Sequence, residues 1–258
     1  MTLSVKRRHR ILNNALFENK NLKNRNDMQL EEVDSLSEQI AKHISEQIIS
    51  GELVEGERIQ ELRIAKELDV SRGSVREALL LLERTHLIEI FPRRGAIVSE
   101  MSAQQVRALF DTIALLLGQI VSRMSETWRN HEAEAIQNMM NHLIEQVKQG
   151  NTEKFYDGIF QFLSEQQDMV GNPYLMKFYK ELLPSLRRSY FLTLNTSRRE
   201  LQEALELLKL VIDAILIRKS QQATLFMEDF CRHLRNLVLE SLTRMKQIEL
   251  AWARRSRR

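Results

Sequence analysis

The side chains best suited to a chemical task lie around the start of one predicted helix. Arg72 and Arg76 are four residues apart, so they project from one face of that helix. Ser71 and Ser74 stand in its first turn, where hydroxyls, free backbone N–H groups and the helix dipole suit a phosphate. The planar guanidinium of arginine matches O6 and N7 of guanine in the major groove. These residue types and their spacing predict a surface that binds double-stranded DNA.

A second basic group lies at the tip of a predicted hairpin, in the sequence Arg93-Arg94-Gly95. Residues 87–91 and 96–98 carry the pattern of two short strands on either side of it. Gly95 lets the turn approach another molecule closely, and the two arginines can reach an adjacent backbone or a minor groove. The alternative is that the arginines of both groups are ordinary solvated charges. The preceding helix and the serine caps favour the interpretation of these arginines as DNA contacts.

Three helices must hold these side chains in place. Ser35-x-x-Glu38 has the form of a capping box, and a helix with an apolar residue at every fourth position follows it. Gly51 is placed to end that helix, and a second helix is predicted over Glu61–Leu68. The third begins after Ser71 and buries a stripe formed by Val75, Ala78, Leu79 and Leu82. Three helices followed by a hairpin predict a winged helix-turn-helix.

The chain after Ser102 has helical periodicity throughout. A long helix begins there, with the form of a capping box at Ser102-x-x-Gln105. Later helices are predicted over 131–149, 152–169, 173–195, 198–218 and 220–248. The predicted fold class is therefore mostly α, with an N-terminal winged helix-turn-helix at residues 35–100 and a C-terminal all-α helical bundle at residues 102–248.

The formal net charge of +3 hides an uneven distribution. Residues 1–30 and 244–258 each carry net +5, which leaves −7 for the body between them. We expect residues 1–34 to form a basic flexible arm and residues 249–258 to form a basic tail. Such tails usually stay solvated, but on a DNA-binding protein they add affinity because they release counterions.

Other classes of protein find little support. Eight glycines and three prolines are few for an all-β chain, and a single cysteine, Cys231, excludes an intrachain disulfide framework. We expect Cys231 to be an ordinary helix residue rather than a redox sensor. No apolar run is long enough to span a bilayer, so we expect a cytoplasmic protein with no membrane partner. No phosphate-binding glycine loop and no G-x-S-x-G, C-x-x-C or H-E-x-x-H motif is present, so we expect no enzymatic activity.

The sequence also resembles a known family. The run from Ile64 to Leu79, IAKELDVSRGSVREAL, followed by Leu87-Ile88 and by PRRGAIV at 92–98, resembles the GntR superfamily of bacterial transcription regulators. The helical second half, with Phe160 and NPYL at 172–175, resembles the effector-binding domain of the FadR-like, FCD-type branch. The resemblance implies a homodimer that binds a short pseudo-palindromic operator. It assigns the DNA contacts to Ser71, Arg72, Ser74, Arg76, Arg94 and Gly95.

The resemblance also bears on metal binding. Many members of this branch hold a divalent metal through an Asp, a His four residues later and two further His. The matching positions here hold Asp157, Gln161, Leu208 and His233. Because one carboxylate and one imidazole remain of four ligands, we expect a degenerate site without metal or cofactor.

A small organic effector is the remaining expectation for the helical domain. Ile113 and Leu117 stand where the family usually has Arg and Glu, which predicts a more apolar pocket. A polar floor is expected from Asp157, Gln161 and His233, with Arg187 or Arg188 reaching an acidic group of the effector. The alternative is that Asp157 and His233 are a paired interior remnant.

Two functions stay open at this point. The first is a sequence-specific transcription regulator whose DNA affinity is modulated by a small organic effector in the C-terminal domain. The second is a DNA-binding regulator or architectural protein without such a ligand, in which the helical domain serves dimerisation or partner binding.

Deletion of residues 1–30 tests the role of the arm. We expect lower DNA affinity and a shallower dependence of log K on log salt, since the slope changes by about 0.9 for each phosphate that the protein no longer neutralises. Fluorescence anisotropy over a salt series measures both quantities. An unchanged slope would show that the arm does not contact DNA.

Overall fold

A computed structural model of this chain describes residues 34–194 and 197–255, with side chains described as far as Ile248. The expected arm, apart from Asp34, and the side chains of the expected tail lie outside the described residues. The residues from Ser35 onward belong to one compact unit. Its mostly α class, a winged helix-turn-helix followed by a helical bundle, confirms the predicted fold class.

Among the described residues, three helices and two strands form the N-terminal half. They are α1 (Leu36–Ile49), α2 (Glu61–Glu67), α3 (Arg72–Arg84), β1 (Ile88–Phe91) and β2 (Gly95–Val98). The strands pair antiparallel, with Ile88 opposite Val98 and Phe91 opposite Gly95. The apolar stripes of the three helices and the inner faces of both strands meet in one core, whose members include Ile44, Ile64, Val75, Leu82 and Ile88.

Seven helices form the C-terminal half among the described residues. They are α4 (Ala103–Thr127), α5 (Asn130–Gln149), α6 (Thr152–Glu165), α7 (Gln167–Val170), α8 (Pro173–Phe191), α9 (Arg198–Leu216) and α10 (Ser220–Arg255). The long α4 packs chiefly against α10 and also against α8 and α9. A second core, separate from the first, fills the space between these helices.

Local capping explains where several helices begin. Ser35 and Ser102 form the expected capping boxes and Ser197 forms a third, and in each the serine hydroxyl accepts from the backbone N–H of the residue three positions on. The side chain of that later residue accepts in return from the serine backbone N–H, over 2.7 to 2.8 Å. These signals need only four consecutive residues, so the sequence displays them directly.

Two predicted helices have different bounds in the structure. The helix predicted over 152–169 is interrupted at Gln166, whose side-chain amide donates to the Phe162 carbonyl over 2.8 Å. The helix predicted over 198–218 stops at Leu216 because Arg218 has a φ of +59°. The Arg218 guanidinium lies over the Trp128 ring, 4.5 Å from its centroid, and donates to the Trp128 carbonyl over 2.7 Å. Both departures come from side-chain contacts that periodicity does not reveal.

The remaining bounds differ from the prediction only at helix ends. The helix predicted over 173–195 ends at Phe191 and passes through Pro184 without stopping, and the helix predicted over 220–248 continues to Arg255. At the end of α8 the Tyr190 carbonyl accepts from both the backbone N–H of Thr193, over 2.8 Å, and its hydroxyl, over 2.7 Å.

Helix α4 is long and apolar enough to cross a membrane by length and composition alone. This is weak evidence, because a core helix of a folded bundle passes the same test. Its residues Ile113, Leu117, Ile120 and Val121 are fully buried within the bundle core. Packing between helices therefore accounts for its apolar character.

Helix α8 joins the two halves of the compact unit. Ser185 donates its hydroxyl to the Thr85 carbonyl over 2.6 Å, just beyond α3. Arg188 donates through Nη1 to the Ser99 carbonyl over 2.7 Å, just beyond β2. Arg187 donates through Nη1 to Oε1 of Glu46 over 2.6 Å, on α1. We call these three contacts the α8 joint.

Replacement of Arg188 by alanine tests how much the α8 joint stabilises the fold. The variant leaves the buried Ser99 carbonyl without its donor, so we expect the free energy of unfolding to fall by about 1–3 kcal/mol. Urea denaturation measures the change. The control is R199A, because Arg199 is 88% exposed and pairs only along its own helix with Glu203. We expect that control to change stability by less than about 0.5 kcal/mol, and an equal effect of both variants would contradict the assignment.

Candidate nucleic-acid interface

The exposed face of α3 presents two arginines. Val75 and Leu79 turn inward and are buried in the N-terminal core, so the opposite face of the helix meets solvent. The side chains of Arg72 and Arg76 are 58% and 63% exposed. The arrangement puts two guanidinium groups on one convex helical surface, as the spacing predicts.

The two serines organise the start of that helix. The Ser71 hydroxyl accepts from the Ser74 backbone N–H over 3.0 Å and lies 2.9 Å from the Ser74 hydroxyl. Ser71 is therefore the N-cap of α3. One hydroxyl pair holds the first turn in shape and leaves it at the surface, where an anion could approach the helix N-terminus.

The hairpin tip is a tight turn with an unusual backbone. Arg94 donates its backbone N–H to the Phe91 carbonyl over 3.2 Å, and Pro92 occupies the second position of the turn. Arg93 at the third position has a φ of +64°, and Gly95 follows with a φ of +80°. A non-glycine residue in the left-handed region costs about 1–2 kcal/mol, which the surrounding strand pairing must offset. The strained turn holds the side chains of Arg93 and Arg94 out in solvent.

Two further charged residues belong to this surface, and sequence reasoning missed both. Arg58 forms a single bridge to β2 at Ile97, and its guanidinium lies 3.6 to 3.7 Å from where a Cβ on Gly95 would stand. Glu61 in the first turn of α2 accepts from Nε of Arg76 over 2.9 Å and lies 3.5 Å from Nη2 of Arg72. Glu61 and Arg76 are 15 positions apart and lie on different helices, so no local sequence signal connects them.

The residues expected to bind an effector do not form one hydrogen-bonded group. Asp157 on α6 accepts from Nε and Nη2 of Arg187 over 3.1 and 3.4 Å, and from the hydroxyl of Tyr190. Arg187 also binds Glu46, so it lies between carboxylates of the two halves of the compact unit. Burial opposes its charge, but the hydrogen bonds and charges of Glu46 and Asp157 prevail and raise the pKa of Arg187.

The other expected effector residues have separate partners. Gln161 is exposed and donates to Glu165 one turn further along α6, over 3.1 Å. His233 lies with Nε2 3.3 Å from the Glu200 carbonyl at the start of α9. Leu208, at the third position of the degenerate metal site, is buried in the apolar core. Among the described residues no three His, Cys, Asp or Glu side chains are grouped to hold a metal ion, and Leu208 does not fit one.

Aromatic side chains fill the interior beside these residues. Tyr156 and Phe160 pack against Tyr190 with ring centroids 5.3 and 5.4 Å apart, and both contact Phe230. A nearby cavity lined by Leu208 and its apolar neighbours has a volume of only about 10 Å³. This small cavity is below the size of typical small-molecule sites.

The burial of Cys231 disfavours the reactive thiolate form of its side chain. Cys231 lies in the core next to these aromatic residues, and burial raises the pKa of its thiol to about 12. At neutral pH the thiol stays protonated, whereas the thiolate is the reactive form. This supports the prediction that Cys231 is a helix residue rather than a redox sensor.

A larger cavity lies between the two halves of the compact unit. It has a volume of about 520 Å³, within the range of small-molecule sites. The strand β1 and the segment after β2 form one wall, and α4 and α8 form the other. We call this the interdomain cleft, and its lining includes Ile88, Glu89, Met101, Leu109, Thr112 and Arg188.

One buried cation lies in the interdomain cleft. Arg188 is 8% exposed, and besides Ser99 its guanidinium has a carboxylate partner, Glu55, at 3.4 Å. Glu55 is about half exposed and also accepts from the Met101 backbone N–H over 2.9 Å. Burial lowers the pKa of Arg188 although Glu55 opposes the shift. A charge desolvated in this way attracts an anionic group more strongly than a solvated one.

Two family profiles match the chain. Residues 36–98 match the profile described as bacterial regulatory proteins, gntR family, and residues 108–236 match the FCD domain. The two matches cover the winged helix-turn-helix and the larger part of the helical bundle.

Individual proteins are similar over shorter stretches. An uncharacterized HTH-type transcriptional regulator of Bacillus subtilis, YdhC, is 33% identical over 72 residues, which cover 28% of this chain and 32% of that protein. The HTH-type transcriptional repressor RspR of Escherichia coli is 32% identical over 81 residues, 31% of this chain and 36% of that protein. The aligned stretches span about a third of the length of these relatives. The solved structure of E. coli McbR/YncC shares the fold with a TM-score of 0.70 at 19% identity, covering 81% of this chain and 100% of that one.

Proposed function

Because the chain belongs to the GntR family of bacterial regulatory proteins and carries its FCD domain, we propose that it is a sequence-specific DNA-binding transcription regulator. The observation that carries the proposal is the exposed pair Arg72 and Arg76 on α3, beside a winged hairpin with Arg93 and Arg94 at its tip. The family consists of regulators rather than enzymes, and we extend this to the absence of catalytic activity here.

In this proposal α3 is the recognition helix and enters the major groove. Arg72 and Arg76 contact base edges, Ser71 and Ser74 contact phosphate near the helix N-terminus, and the hairpin tip at 93–95 reaches the adjacent backbone or minor groove. Arg58 adds a cation beside the tip. Residues 35–100 act as the DNA-binding domain and residues 102–248 as the dimerisation and effector domain of a cytoplasmic homodimer on a pseudo-palindromic operator.

The distribution of charge supports a specific rather than a merely electrostatic interaction. Residues 35–100 carry nine basic and twelve acidic residues, so the net charge of the domain does not by itself attract DNA. Four of the nine cations, Arg72, Arg76, Arg93 and Arg94, lie on the exposed face of α3 and at the hairpin tip. Binding by such a domain depends on these few contacts and therefore on the sequence that they meet.

The interdomain cleft is the place where the structure favours a small effector. An organic monoanion with an apolar body would place its charged group near Arg188 and its body against Ile88, Met101 and Leu109. The exposed carboxylate of Glu89 on the same lining disfavours a polyanion. A ligand there would touch the base of the wing and α8 together, so it could shift the α8 joint and with it the recognition helix.

The regulator without a small ligand stays the second candidate. The packed aromatic side chains beside Asp157 and the presence of Leu208 at an implied metal-ligand position support this candidate. In that case the helical domain serves dimerisation or partner binding.

Replacement of Arg76 by alanine tests DNA reading. We expect affinity for the selected operator to fall by about 1–3 kcal/mol while affinity for unrelated duplexes changes much less, because the alanine side chain cannot bind a guanine. Selection from a random duplex library followed by anisotropy titration measures both. The control is R232A, since Arg232 is exposed on α10 and pairs with Asp229. Equal decreases on operator and unrelated DNA would make Arg76 a phosphate contact.

Thermal denaturation with a series of straight-chain and aromatic monocarboxylates tests the effector. We expect at least one to raise the melting midpoint of the protein, because a ligand that binds the folded state stabilises it by about 2.7 kcal/mol at 100 times Kd. The variant A108F narrows the interdomain cleft and should abolish the shift, whereas A135F, an exposed alanine on α5, should preserve it. A shift that survives A108F would place the ligand elsewhere, and no shift in the unmodified protein would favour the second candidate.

A further inference from the structure

An acidic residue lies between the two arginines of the recognition helix. One carboxylate oxygen, Oε2 of Glu61, is 2.9 Å from Nε of Arg76 and 3.5 Å from Nη2 of Arg72. Glu61 itself is 25% exposed in its side chain and sits in the first turn of α2, where the helix dipole favours a negative charge. The two arginines are therefore tied to a second helix although both are more than half exposed.

The guanidinium nitrogens that Glu61 contacts determine which hydrogen-bond donors each arginine presents to DNA. The hydrogen bond to Glu61 uses Nε of Arg76, whereas the two terminal nitrogens form the end of the guanidinium fork. That end can donate two parallel bonds to O6 and N7 of one guanine. Arg72 lies with Nη2 3.5 Å from the same carboxylate oxygen, an ion-pair distance that draws its guanidinium toward α2.

A carboxylate in this position has opposite effects on two kinds of binding. It brings a negative charge toward the phosphates of DNA, which lowers affinity for any duplex. It also holds two long side chains in one geometry before DNA arrives, and ordering such side chains otherwise costs conformational entropy on binding. The negative charge and the ordering of the arginines together disfavour binding to unrelated duplexes and favour the duplex whose base edges match the arginine forks.

We propose that Glu61 is a positioning residue that determines the DNA sequence preference of this protein by fixing the forks of Arg72 and Arg76. This rests on the proposed function as a DNA-binding regulator. Glu61 acts through the two arginines and need not touch a base.

The experiment compares the unmodified full chain with E61Q, R76A and the double variant E61Q/R76A. Operators are first selected from a random duplex library with the unmodified protein, and anisotropy then gives the ratio of operator affinity to unrelated-duplex affinity for each variant. We expect E61Q to lower this ratio about tenfold, equivalent to about 1.4 kcal/mol. We also expect it to raise affinity for unrelated DNA about two- to threefold, because one negative charge near the phosphates is gone.

A thermodynamic cycle separates positioning from direct reading. If Glu61 acts through Arg76, the E61Q change should lower the ratio much less in the R76A background than in the unmodified protein. If E61Q keeps its full effect there and changes the preferred base at one operator position, Glu61 reads a base such as cytosine directly and the proposal is overturned. The control E67Q removes the same charge from the same helix, and Glu67 faces His43 instead of the arginines.

Two other outcomes are decisive. Equal decreases of operator and unrelated affinity in E61Q, with a lowered melting midpoint, would make Glu61 a stability residue and overturn the proposal. If the unmodified protein selects no operator from the library, the proposed function itself fails. If the unmodified protein selects an operator and E61Q discriminates equally well, only the role of Glu61 is overturned.

Discussion

The docking of α8 against the N-terminal half is the interaction on which the rest of the structure depends. Arg187 and Arg188 are adjacent, both are largely removed from water, and a desolvated guanidinium requires partners in defined positions. Those partners are Glu46 on α1 and the Ser99 carbonyl after β2, so the arginines tie the winged helix-turn-helix to the bundle at two separate points. Two hydrophobic cores that share no residue thereby belong to one compact unit.

The same joint connects the two places where function is proposed. Arg187 donates to both Glu46 and Asp157, and Asp157 stands at the first metal-ligand position that the family resemblance implies. Arg188 borders the interdomain cleft while it holds the end of β2. Arg187 and Arg188 thus each donate to a group of the N-terminal half, Glu46 and the Ser99 carbonyl, while they belong to a helix of the bundle.

The position of charges matters more here than their sum. The domain at residues 35–100 has an acidic surplus of three, yet it presents Arg72 and Arg76 on one face of α3 and Arg93 and Arg94 at a strained hairpin tip. Glu61 belongs to that acidic surplus, yet it lies against the arginines and holds them in one arrangement. An acidic background and a few ordered cations together disfavour indiscriminate binding, a property that net charge alone does not describe.

The sequence by itself determined the features that depend on a few neighbouring residues: the capping boxes, the stripe that turns Val75 inward and Arg76 outward, and the turn that begins at Pro92. Short-range hydrogen bonds and helical period dictate these whatever the rest of the chain does. Only the tertiary structure decided that Arg187 binds Glu46, 141 residues away, that Glu61 holds Arg76, and that aromatic rings fill the space beside Asp157. These contacts follow from how whole helices pack, because an exposed arginine has the same local pattern whether it meets solvent, a carboxylate or DNA.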